Sequence, residues 1–306
     1  MPTLDELIRE KTFRLTRVPD EFLTAVEKAT KELYPDVIDL LNQLEVDAQG
    51  NIIFNNTNLQ LTAELKEQLK DILLQSDYVS AVKEFAKQFD QQAKITNQLL
   101  RKGFDNVETE LANQLNKISK KNTADILINS IGDEAFADAV SEQIELAVSN
   151  NASFKDTIKA VRDVVTGNDE IDGKLQQYAK QVAHDQFAIA DRSYTSAMAD
   201  EIGAEWFKYS GDTIESTREF CRERHNRFFY YKEIEEWADE EWQGKIDGTN
   251  EKTIYSTAGG YNCRHSIIPV SIFAVPKDDI RRNIDNGNFE PSESLLNQLD
   301  LSLIHI

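Results

Sequence analysis

The first 200 residues of this 306-residue chain carry apolar side chains at three- and four-residue steps, and that spacing commits most of the chain to amphipathic helices. Phe22, Val26, Ala29 and Leu33 form one stripe. Pro35 is expected to interrupt it, and Val37, Leu41 and Leu44 to open a second, shorter one. The stretch from Leu44 to Phe54 differs. Two short apolar runs flank Asp47 to Asn51, a turn containing Gly50, and predict a small β-hairpin near 44–54. From Ser76 to Asn122 the pattern is helical again, with Val82, Phe85, Phe89, Thr96 and Leu99 on one side. Phe104, Val107, Leu111, Leu115 and Ile118 follow, nearly as a heptad, and Gly103 is the expected break between the two groups. That second group fits either core packing in a bundle or a helix that seeks a partner.

Ser153 with Asp156 reads as a helix start ahead of Ile158, Val161 and Val165, with Gly167 as the stop. A further long helix is expected over 172–202, with Leu175, Tyr178, Val182, Phe187, Ala190, Tyr194 and Met198 on its buried side. Near Gly203 the character changes. Trp206, Phe207 and Tyr209 are strand formers ended by Gly211. Helices are expected over 214–228 and 232–242, and the run from Asn262 to Val275 predicts one or two strands with Pro269 at an edge or bend. The fold class is therefore mainly α with a C-terminal α+β module: long N-terminal helices with one small hairpin, then a compact domain of helices and a short sheet. The expected segments are 1–125, 126–202, 203–275 and a polar tail over 276–306 lying over another surface or subunit.

Composition limits the function. A net charge of −20 opposes the phosphate neutralisation on which non-specific nucleic-acid binding rests, so DNA is expected only as a neighbour. No apolar run approaches the roughly 18 residues of a membrane span. The start of the chain is acidic where a secretion signal would be basic. Two cysteines do not make a disulfide scaffold and suit a reducing cytoplasm.

The chemistry-bearing residues gather between 211 and 265. Gly211-Asp212 is followed by Ser216-Thr217-Arg218-Glu219-Phe220-Cys221 and His225. Ala258-Gly259-Gly260-Tyr261-Asn262-Cys263-Arg264-His265 closes the set. Over roughly 200–272 this arrangement resembles the Mu F-like minor head proteins of tailed phages, with weaker support from 184–204. In that family an Asp–Thr–Arg element precedes a Cys or His, and an Asn–Cys–Arg–Cys or Asn–Cys–Arg–His element closes the domain. The Pro-Pro element of many members is absent here, and Ala258-Gly259-Gly260 stands in its place. The resemblance implies a low-copy head component made in a bacterial host, acting in head morphogenesis and placed in the virion near the portal vertex. Its expected partners are portal and other head proteins. Only a short polar stretch follows Ala274, so no appended catalytic domain is expected on that side.

Cys221 and His225, four apart on an expected helix, share a face, as do Cys263 and His265, two apart on an expected strand. Three readings stand: buried packing with hydrogen-bonded histidines, a structural zinc site on Cys221, His225, Cys263 and His265, or a Cys221–Cys263 disulfide. Arg218 and Arg264 read as forks that hold a carboxylate or loop carbonyls, with Asp212 as the expected partner of Arg218. Asn262 is expected to fix a turn, and Gly259-Gly260 to permit positive φ. The acidic run around Trp237 reads as a solvated face, and Arg222, Arg224 and Arg227 as a diluted basic cluster. The leading expectation is a structural interaction protein with no enzymatic role. Its rivals are a Cys/His-dependent hydrolase or nucleic-acid-modifying enzyme, and a zinc-stabilised DNA-binding module.

Overall fold

The computed structural model describes residues 2–105, 107 and 109–301; for 130–134 only the backbone is described. Among these residues the chain is mainly helical. In order come α1 (Leu4–Leu41), α2 (Asn56–Gln75), α3 (Asp77–Leu100), α4 (Glu110–Asp125), a π-helical stretch (Ile126–Phe136), α5 (Ala137–Ser149), α6 (Phe154–Thr166) and α7 (Lys174–Glu201). The C-terminal part adds β1 (Trp206–Gly211), α8 (Glu219–Arg224), β2 (Phe228–Tyr230), α9 (Tyr231–Glu236), α10 (Ile254–Thr257), β3 (His265–Val270), α11 (Lys277–Asp285) and α12 (Glu293–Gln298). No helix among the described residues is long and apolar enough to cross a membrane.

Two compact units are assembled from non-contiguous pieces. One is Met1–Thr16, Phe89–Ser119 and Asp185–Ile306, and the other is Arg17–Gln88 and Lys120–His184. The boundaries drawn from sequence at 125, 202 and 275 follow the chain, whereas the units draw together segments remote in sequence.

In the second unit the stripe Phe22, Val26, Ala29, Leu33, Val37 and Leu41 is buried without interruption, because α1 runs straight through Pro35. The expected break does not occur. A proline inside a helix costs about 3 kcal/mol, and Val37 and Leu41, both fully buried beyond it, continue the same apolar face and offset that cost. Phe22 stacks on Phe85 with ring centroids 4.5 Å apart. The expected hairpin is reduced to isolated bridges, Val46 with Ile52 and Asn51 with Ser153. Its turn is as expected: Asp47 Oδ1 accepts from the backbone N–H of Gln49 and Asn51. Buried Asn58 then holds the segment from inside, donating to the carbonyls of Glu45 and Ile53. Ser153 caps α6 by accepting from the Asp156 N–H, and Gly167 ends it at φ 75°.

In the first unit Leu7, Ile8, Ala93, Ile95, Leu99, Leu100, Ala112, Tyr194, Met198 and Ile268 form one core. The second apolar group of the sequence joins it only in part: Phe104 and Val107 pack against it, whereas Leu111 and Ile118 on α4 are each 56% exposed. The three strands form an antiparallel sheet in the order β2-β1-β3, with Trp206 opposite Tyr230 and Val270, and Gly211 opposite His265. Strand alternation sends Phe207 and Tyr209 to one core and Trp206 to another. Pro269 sits on the edge strand β3, where its missing N–H is tolerated. Residues after Pro276 are not a peripheral tail. Ile280, Phe289, Leu296, Leu299 and Leu301 are buried with Trp206, Tyr230 and Val270, while 302–306 lie outside the described residues.

A buried cysteine–histidine knot as the candidate functional site

The two motif segments meet. Cys221 comes from α8 and Cys263 from the turn before β3. Their sulphurs are 3.9 Å apart, both thiols are free, and both residues are buried. Tyr209, projecting from β1, donates its hydroxyl to Cys221 Sγ at 3.2 Å and lies 3.8 Å from Cys263 Sγ. A ring nitrogen of His265 and the two sulphurs all lie within 4.8 Å of one another. His265 stacks on Tyr209 with centroids 5.0 Å apart, and its backbone N–H donates to Cys263 Sγ at 3.4 Å.

His225 stands outside this group. The expected helix over 214–228 is only the six residues of α8, so Cys221 and His225 do not share a helical face. His225 is the C-cap, and Asn226 at φ 58° turns the chain away. From there His225 Nδ1 reaches His265 Nε2 at 3.3 Å. The expected helix over 232–242 is likewise short. α9 gives way to a single 3₁₀ turn at Trp237–Asp239, so Trp242 is free to stack on Phe220 and donate to the Gly259 carbonyl at 3.1 Å.

Arg218 is a fork, but on carbonyls. It donates to Gly259 O at 3.4 Å and to Tyr261 O at 2.7 Å, so it does not pair with Asp212 as expected. Asp212, half-buried just past β1, acts on His225 through its charge. Thr217 Oγ1 accepts from the Ile214 N–H at 2.7 Å and fixes the turn ahead of α8. Asn262 holds the left-handed conformation at φ 56°, and its N–H donates to Asp185 at 2.6 Å. Gly260 is required outright: at φ 93° a Cβ there would stand 1.8 Å from the Gly244 carbonyl oxygen. Arg264 has no side-chain hydrogen bond or ion pair among the described residues, and the fork expected of it is Arg192 on α7. Fully buried, Arg192 donates to the carbonyls of Ser256, Cys263 and His265.

Arg192 adjoins a second buried polar group that was not expected from sequence. Lys11 Nζ pairs with Asp191 and donates to Thr96 at 2.9 Å and Thr195 at 3.0 Å. Asp191 also accepts from Gln92 at 3.0 Å and from Ser266 at 2.8 Å. The sequence signal was present: Asp191-Arg192 interrupts an otherwise apolar helical stripe, and a charge there must be paired.

Comparison with known proteins finds no matching family model, no matching curated protein and no matching solved structure. The chemistry of the knot rests on its geometry.

That geometry keeps nucleophiles quiet. The hydrogen bond between the two thiols, then burial, pushes Cys221 well above its ordinary range, and the same bond holds Cys263 well below it. Burial rather than proton affinity therefore keeps Cys263 quiet, and burial also pushes the Tyr209 phenol up. A thiol needs its thiolate to attack. Gly259 packs directly on the pair, where a Cβ would stand 2.3 Å from Cys221 Sγ and 2.9 Å from Cys263 Sγ. Burial first, then His265, pushes the His225 pKa down. The basic cluster is also occupied: Arg222 donates to Glu215 O, Arg224 to Glu240, and Arg227 to Glu223 O. Trp237 packs inward among Tyr209, Phe220 and Phe229, as its acidic surroundings implied.

Proposed function

We propose that this chain is a minor head protein of a tailed phage, a structural component of head morphogenesis that works near the portal vertex or the capsid interior and carries out no catalysis. The observation that carries the reading is the convergence of the two motif segments that resemble the Mu F-like proteins. Residues 212–225 and 258–265 close on each other around buried sulphurs, with Arg218 clamping the Gly259 and Tyr261 carbonyls. A catalytic thiol would need an activating base and access to substrate, and the burial of Cys221 and Cys263 supports a structural role instead. The exposed apolar residues of α4, Leu111 and Ile118, suit a protein whose work is contact with neighbouring head subunits.

Mass spectrometry of purified virions with cross-linking tests the proposal. Detection of the chain in few copies, linked to portal subunits, is the expected result. Its absence from particles, or its purification as a free enzyme with turnover, overturns the reading.

A further inference from the structure

Cys221 on α8, Cys263 in the turn before β3 and His265 at the start of β3 stand as three soft or borderline donors converging on one buried point. We propose that they bind a divalent transition-metal ion, with zinc the best fit, as a structural centre that ties α8 to β3. The proposal stands apart from the assignment to a phage head, and a metal-free chain leaves that assignment as it is.

The spacing suits a shared metal better than a direct bond. Two thiolates on one tetrahedral zinc sit about 3.8 Å apart when each Zn–S bond is about 2.3 Å; the sulphurs here are 3.9 Å apart. A disulfide would need them to close to about 2.05 Å. The third donor, a ring nitrogen of His265, completes a group within 4.8 Å, near enough to reach a common ion with small side-chain adjustments. The Tyr209 hydroxyl lies beside the pair, 3.2 Å and 3.8 Å from the two sulphurs.

The surroundings agree. Two thiolates cancel the charge of a divalent cation, so the loaded centre is neutral, as a site this deeply buried requires. Gly259 leaves the space over both sulphurs free of a side chain. His225, 3.3 Å from the His265 ring, is the outer partner that orients the ligand, a role commonly filled behind a metal-bound histidine. The sequence suggested four ligands; the structure assigns three of those residues to the ion and places His225 behind them.

The test uses the full chain, purified under reductant from zinc-supplemented cells. Native mass spectrometry is expected to find one zinc per chain, and cobalt(II) added to stripped protein to give a thiolate charge-transfer band. Cys221→Ser and Cys263→Ser are expected to lose the bound metal and the band. His225→Gln is expected to keep one equivalent with affinity weakened about 10- to 100-fold. The wild-type cobalt spectrum decides even if the cysteine variants fail to fold: no charge-transfer band overturns the proposal. So does metal retained undiminished by a folded Cys221→Ser/Cys263→Ser double variant, or a Cys221–Cys263 disulfide in protein prepared without reductant and with free thiols blocked at lysis.

Discussion

Replacing Asp191 with alanine isolates what the buried polar group contributes to the first unit. Lys11 would keep only the hydroxyls of Thr96 and Thr195 as acceptors, and Gln92 and Ser266 would each lose one. Removing one partner of a buried ion pair costs about 3–5 kcal/mol, because the remaining charge is left uncompensated. Burial already pushes the Lys11 pKa down against the pull of Asp191. Against a typical stability of about 5–15 kcal/mol, the loss is large. With a urea slope of about 3 kcal/mol/M, the midpoint should fall by about 1–1.7 M. Tryptophan fluorescence is a fitting assay, since Trp206, Trp237 and Trp242 all lie in the same unit as Lys11 and Asp191. The double variant Lys11→Met/Asp191→Leu, which removes both charges and keeps the volume apolar, should recover most of the loss. A single variant within about 0.5 kcal/mol of wild type, or a double variant no better than the single, would refute the reasoning.

Three further outcomes follow from the knot. Gly260→Ala forces a side chain into the Gly244 carbonyl at positive φ and should cost at least about 2 kcal/mol, while Gly50→Ala, also at positive φ but with open space around it, should cost about 1 kcal/mol; calorimetry of both variants separates clash from backbone preference. Arg192→Met leaves the Ser256, Cys263 and His265 carbonyls without their donor and should cost about 3 kcal/mol or more, read from the same fluorescence midpoint. His225, whose folded pKa lies below its ordinary value of 6.5, binds fewer protons folded than unfolded in that window, so stability is present above about pH 6.5 and falls as pH drops through it; His225→Gln should flatten that part of the urea-midpoint profile.

Local signals in the sequence were legible wherever a single element satisfies them. The Ser153 cap, the Gly167 stop, the helix break near Gly103 and the β1 residues Trp206 to Gly211 all stand where the spacing put them. The meeting of Cys221 with Cys263 was also legible, because a paired motif implies two segments in contact. Features set by distant partners were not. Nothing local reveals that Val37 and Leu41 carry α1 past Pro35, or that Ile280 and Phe289 bury a tail of polar composition. Arg264 and Arg192 look alike as sequence, and only the packing of α7 beneath β3 makes Arg192 the fork. The four-residue spacing of Cys221 and His225 puts both on one face only of a longer helix; α8 stops at Arg224, and Asn226 in the left-handed region turns the chain away.

The claim that these segments form a closed, chemically quiet centre is tested most directly by thiol labelling of the native reduced chain at neutral pH. Cys221 and Cys263 should react only as fast as the unit unfolds, with full labelling in denaturant. Rapid modification of Cys221 in the folded protein would contradict the account and turn attention to an exposed, activated thiol.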